Sequence, residues 1–83
     1  MIIRIHRHAR QRMWERGATA KQIRQTIGAG RSVPAKFGRT RFTHVFSFNA
    51  DWKGKRYARK QIEAFAAKIK DGWLVVTVIV KYF

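Results

Sequence analysis

The chain has no cysteine, only four acidic residues, a single proline and no long apolar run. Without cysteine, neither a disulfide framework nor a thiolate metal site is available. The longest apolar stretch, Trp73 to Val80, is too short to span a bilayer and contains Thr77. Arginines and histidines break up the first residues, so they lack the apolar centre of a secretory signal. No membrane partner and a cytoplasmic site of action are expected. Glu15, Asp51, Glu63 and Asp71 are too few and too scattered to hold magnesium for phosphoryl transfer. His6 and His8 are two residues apart, on different sides of a helix, so with His44 they form no obvious zinc set. No glycine-rich phosphate loop precedes a helix, and no serine sits in a nucleophile elbow. No cofactor is expected.

Positive charge is what the chain has in excess. Nineteen Lys and Arg against four Asp and Glu give a net charge of +15. Self-repulsion on that scale opposes compaction, so the surplus is expected to face a polyanion. Nucleic acid is the first candidate and an acidic protein the second. An apolar content of 46% marks a folding domain rather than a basic tail. With no linker, repeat or low-complexity segment, residues 1–83 read as one domain.

The stretch His8 to Gly17 organises the reading. On a helix, His8, Arg12 and Arg16 form one row at four-residue spacing, and Ala9 and Met13 form an apolar stripe beside it. Gly17 suits the left-handed position that ends a helix. The first helix is therefore placed at Arg7 to Arg16, after a short edge strand within Met1 to Ile5. Thr19 is the N-cap expected for a second helix through about Ile27, stopped by Gly28 and Gly30. Arg31 to Lys36, with Pro34, reads as an edge strand or extended connection.

From Arg39 the period becomes two. Phe42, His44, Phe46 and Phe48 share one face; Arg39, Arg41, Thr43 and Ser47 share the other. Asn49 to Lys55 reads as a polar loop with Trp52 at its tip. Arg56 to Lys70 fits either a helix or a strand, and the Asp71-Gly72 turn signal decides for a strand paired with Trp73 to Phe83. A two-residue turn there pairs Lys70 with Trp73, Ile69 with Leu74 and Phe65 with Val78. The core face would then carry Phe65, Ala67, Ile69, Leu74, Val76 and Val78, opposite a face with Lys68, Lys70, Thr77 and Lys81. The expected fold is α+β: two N-terminal helices packed on a curved antiparallel sheet of about four strands.

This inventory suits RNA cleavage without metal, because the 2′-hydroxyl supplies the nucleophile. A histidine can move protons, arginines can stabilise charge on phosphorus, and a hydroxyl such as that of Thr77 can orient a phosphate oxygen. Arg10, Arg16, Arg39, Lys68, Lys70 and Lys81 are the further candidates for RNA contacts. A noncatalytic RNA-binding module remains open, with Trp52, Tyr57 and Trp73 as stacking platforms or as packing.

His8-Ala9, Arg12-Met13 and Glu15-Arg16-Gly17 resemble the opening motif of a prokaryotic and phage family catalogued as domain of unknown function 4258. Gly38-Arg39-Thr40-Arg41-Phe42 and Val75-Val76-Thr77-Val78 look like its later strands. That family is grouped with the BECR fold of barnase, EndoU, colicin-type and RelE-type ribonucleases. The resemblance implies N-terminal helices, a curved antiparallel sheet with its active site on the open face, and toxin activity. It implies active-site roles for His8, Arg12, Arg41 and Thr77. A cellular ribonuclease toxin further implies a neutralising antitoxin or immunity protein, and the charge implies that this partner is acidic.

Overall fold

The computed structural model describes residues 1–83 as an α+β fold with two helices packed on a five-stranded sheet. In chain order the elements are β1 (Ile2–Ile5), α1 (Arg7–Arg16), α2 (Ala20–Ala29), β2 (Arg31–Pro34), β3 (Thr40–Trp52), β4 (Lys55–Ile69) and β5 (Gly72–Tyr82). Strand order across the sheet is β1-β5-β4-β3-β2. β1 lies parallel to β5 and every other pair is antiparallel, so the sheet is mixed and has five strands rather than about four. Neither helix is long and apolar enough to cross a membrane.

Both helices form where capping chemistry and apolar spacing agree. His6 caps α1, its Nδ1 accepting from the backbone N–H of His8. Gly17 ends the helix at φ 79°, and a side chain there would also strike the Tyr82 hydroxyl and the Trp52 ring. Thr19 and Gln22 make a reciprocal capping box for α2, which runs through Gly28 before Gly30 stops it. Ala9 and Met13 from α1, and Ile23 and Ile27 from α2, bury against Phe42, Ile62, Ala64, Ala66, Val75 and Val78 of the sheet. The helices cover this one face. The other face carries no packed element.

The last hairpin corrects the expected register by two residues. Ile69 pairs with Gly72 and Lys68 with Trp73, so the turn residues are Lys70 and Asp71 rather than Asp71 and Gly72. Gly72 serves a different need: a Cβ there would stand 1.7 Å from the Ile2 carbonyl oxygen, so only glycine lets β1 lie alongside. The face assignment is corrected too. Ile62, Ala64, Ala66, Val75 and Val78 face the helices, while Phe65, Ala67 and Leu74 take the opposite side. Small alanines under the helices allow close approach of helix and sheet, which the larger Phe65 would prevent. A bulge at Val76 lets both Val75 and Val78 point inward and turns Thr77 outward opposite Phe65.

The stretch expected as a loop, Asn49 to Lys55, is mostly strand. β3 continues to Trp52 and turns through Lys53 and Gly54, both at positive φ, as a tight hairpin turn requires. A bulge between Ser47 and Ala50, with Asn49 at φ 47°, bends this distal end. Trp52 then stacks on Tyr82 with centroids 5.0 Å apart, and Phe48 and Tyr57 join the same cluster.

Lys60 lies beneath that cluster and is only 4% exposed. It donates to the Gly17 carbonyl and, at 3.0 Å, to Gln22 Oε1, tying β4 to the junction of the helices. Burial lowers the pKa of its ammonium from the ordinary 10.5. Burial also raises that of the Tyr82 phenol, which donates to the Arg16 carbonyl at 2.7 Å. Between the depressed pKa of Lys60 and 10.5 the unfolded chain binds more protons, so stability rises with pH. Above about 10 the unfolded tyrosine ionises first, and stability falls. Denaturant titrations across alkaline pH should therefore show a maximum. Lys60→Met should flatten the rise relative to wild type and Tyr82→Phe the fall; parallel curves for all three proteins would contradict this.

Candidate nucleic-acid interface

The sheet register sets two rows of side chains across the uncovered face. One runs Val33, Arg41, Phe65, Thr77 and the next Arg31, Thr43, Glu63, Ile79, each crossing β2, β3, β4 and β5. At the end of the first row the loop between β2 and β3, built around a 3-10 turn at Lys36–Gly38, folds beside the sheet. Together they enclose a cavity of about 590 Å³. Arg41 and Thr77 line it across a floor of Phe65 and Val76, and Arg39 and Lys36 line it from the loop.

The charged groups in this cavity are all cationic. Arg39 and Arg41 contribute guanidiniums and Thr77 a hydroxyl, and no carboxylate lines it. The Nε of Arg39 has neither a hydrogen-bond partner nor exposed surface, so its desolvation is not offset within the protein and the rest of the guanidinium is the part the cavity can use. Glu63 stands in the neighbouring row, one diagonal step from both Arg41 and Thr77. It is 8% exposed and takes no part in the molecule's single ion pair. A lone glutamate among basic residues, in a chain so poor in acids, carries no periodicity that would mark it in the sequence. Only the register reveals its position.

The other candidates divide into three groups. Arg39, Arg41 and Thr77 meet in the cavity, and Lys81 stands farther along the same face, opposite Gln61. His8 and Arg12 stand elsewhere, on α1. Arg16 at the end of their row donates to the Val78 carbonyl, so the row follows the edge of β5 beyond the residues that β1 pairs. His8 is exposed, and Arg12 pairs with Glu15 at 3.5 Å. Neither reaches the cavity lining. Arg16, bound to backbone, is fixed structurally. Arg10 lies on the other flank of α1, lining a groove that reaches Ala20 at the start of α2. Lys70 is in the turn, and Lys68 is not on the open face as expected but stands over the Trp73 ring at 4.9 Å.

Histidines and aromatics sort in the same way. His6 caps a helix and His44 packs edge-on against Phe46 beneath the helices, leaving His8 as the histidine with a free ring. No three His, Asp or Glu side chains gather at metal-binding distance. Trp52, Tyr57 and Trp73 are half-buried in aromatic packing; the aromatics fully offered to solvent are Trp14 and Phe37. No protein-family model, curated protein or solved structure matches this chain.

Proposed function

We propose that the protein is a metal-independent endoribonuclease, a toxin domain that binds RNA on the open sheet face. The observation that carries this reading is the cavity where Arg39, Arg41 and Thr77 converge, with no carboxylate in its lining. A phosphodiester there would take charge-assisted hydrogen bonds from both arginines, strengthened by partial exclusion of water. The 2′-hydroxyl loses its proton to a base and attacks phosphorus. The bond to the 5′-oxygen breaks, that oxygen gains a proton, and the products are a 2′,3′-cyclic phosphate and a 5′-hydroxyl. His8 and Glu63 are the two candidates to move those protons, and neither lines the cavity: His8 is on α1 and Glu63 lies buried in the neighbouring row. A neutralising partner of such a toxin would be acidic and would cover the same face, since complementary charge speeds association.

A noncatalytic RNA-binding module is the second reading, favoured by the placement of His8 outside the cavity lining. Incubation of purified protein with matched oligoribonucleotide and 2′-deoxy substrates in EDTA separates the two. The proposal expects cleavage of the first alone, with cyclic-phosphate ends. Cleavage of the deoxy strand or a requirement for metal would overturn the mechanism, and tight binding without cleavage would leave the binding module.

A further inference from the structure

At the mouth of the cavity the β2–β3 loop holds an aromatic ring in an unfavourable position. Phe37 has φ 60° and ψ 35°, in the left-handed region that bulky L side chains avoid. Its ring is nevertheless 87% exposed, so no burial offsets the strain. The central carbon of the Arg39 guanidinium lies 5.8 Å from the ring centroid. That same arginine lines the cavity together with Arg41. A strained backbone, an exposed ring and a neighbouring guanidinium thus coincide in one short loop. A single ligand would engage both ring and guanidinium if it offered a flat π surface one sugar away from a phosphate.

We propose that Phe37 is a stacking platform for an unpaired nucleobase whose neighbouring phosphate lies between Arg39 and Arg41. The preferred substrate is then single-stranded RNA, because a base held in a duplex cannot leave its own stack to lie on the ring. This rests on the open face being an RNA site and specifies what that site accepts. The strain supports the same conclusion, since non-glycine residues held in this region cluster at ligand clamps.

The test is fluorescence anisotropy with a labelled single-stranded oligoribonucleotide and a hairpin duplex of the same composition, using wild type and three variants. Phe37→Leu keeps an apolar side chain but removes the π face. It should weaken single-strand binding about five- to 150-fold, the measured range for losing one stacked base, and leave duplex binding unchanged. Phe37→Trp should retain the affinity, with its indole fluorescence quenched on binding. Phe37→Gly should lose affinity like Phe37→Leu without any fall in melting temperature, which a purely structural phenylalanine would not allow. If wild type binds RNA but Phe37→Leu binds single strands equally well, Phe37 belongs to a protein contact and the proposal falls. Equal wild-type affinity for both RNAs overturns it as well. Absence of any RNA binding by wild type removes the nucleic-acid reading and this inference together.

Discussion

RNA affinity should fall about 10³- to 10⁵-fold as salt rises from about 50 to about 200 mM, the behaviour of a protein neutralising about six or more phosphates. A net charge of +15 supplies more than enough cations. The open face gives a subset of them one direction, with Arg31, Arg41 and Lys81 on the strands and Lys36 and Arg39 on the adjoining loop. Each neutralised phosphate releases condensed counterions, and added salt opposes that release. Arg41→Gln and Lys81→Gln should each reduce the slope of log affinity against log salt by about one contact. Lys68→Gln should leave the slope nearly unchanged, since Lys68 stands over Trp73 on the opposite side of the sheet from Arg41 and Lys81. A slope unaffected by Arg41→Gln but reduced by Lys68→Gln would move the interface to another surface.

Elements governed by local chemistry were legible in the sequence. Ala9, Met13 and Gly17 place α1 at Arg7–Arg16, and Thr19 places the start of α2. Alternation after Arg39 separates Phe42 from Arg41, because one face there is aromatic and the other polar. The same rule fails in β4 and β5, where both faces are apolar. Phe65 and Ile69 look like better core residues than Ala64 and Ala66, yet the core side is decided by how near the helices come. No residue in Val75-Val76-Thr77-Val78 marks the bulge, since each suits a strand in either orientation. Gly72 misled for a related reason. A glycine after an aspartate signals a turn, but here it makes room for β1, a contact between residues far apart in sequence.

Part of the candidate site's layout was legible as well. Arg41 and Thr77 were expected on one face and do share a cavity, although Thr77 reaches it only through the bulge. Phe37 was invisible because a single aromatic in a loop has no pattern, and neither its positive φ nor its exposure is written in the sequence. Lys60 was equally hidden, one lysine among many, until the fold buried it against Gly17 and Gln22.

Cleavage should divide between the cavity and the helix according to what each group does. Arg41→Ala removes a cation aimed at the phosphate and should lower the rate about 10²- to 10³-fold, the usual cost of deleting one charge-stabilising donor. Thr77→Val keeps the β-branched shape opposite Phe65 and deletes only the hydroxyl, so it should cost less. Loss of the group that moves the proton should cost about 10²- to 10⁴-fold with little change in RNA affinity. His8→Ala and Glu63→Gln are the two variants that locate it. His8 is exposed on α1 and free of hydrogen bonds through its ring, so its removal should leave the fold intact. Glu63 is buried on the face itself, one diagonal step from Arg41, so Gln preserves its volume while removing the base. Single-turnover rates over pH 5 to 9, about the range in which an ordinary histidine changes charge, distinguish them. A pH dependence that disappears in His8→Ala assigns the proton transfer to α1 and requires RNA to reach from the cavity around the edge of β5. Unchanged rates in His8→Ala with loss in Glu63→Gln confine the chemistry to the sheet. Unchanged rates in Arg41→Ala would remove the cavity from catalysis altogether.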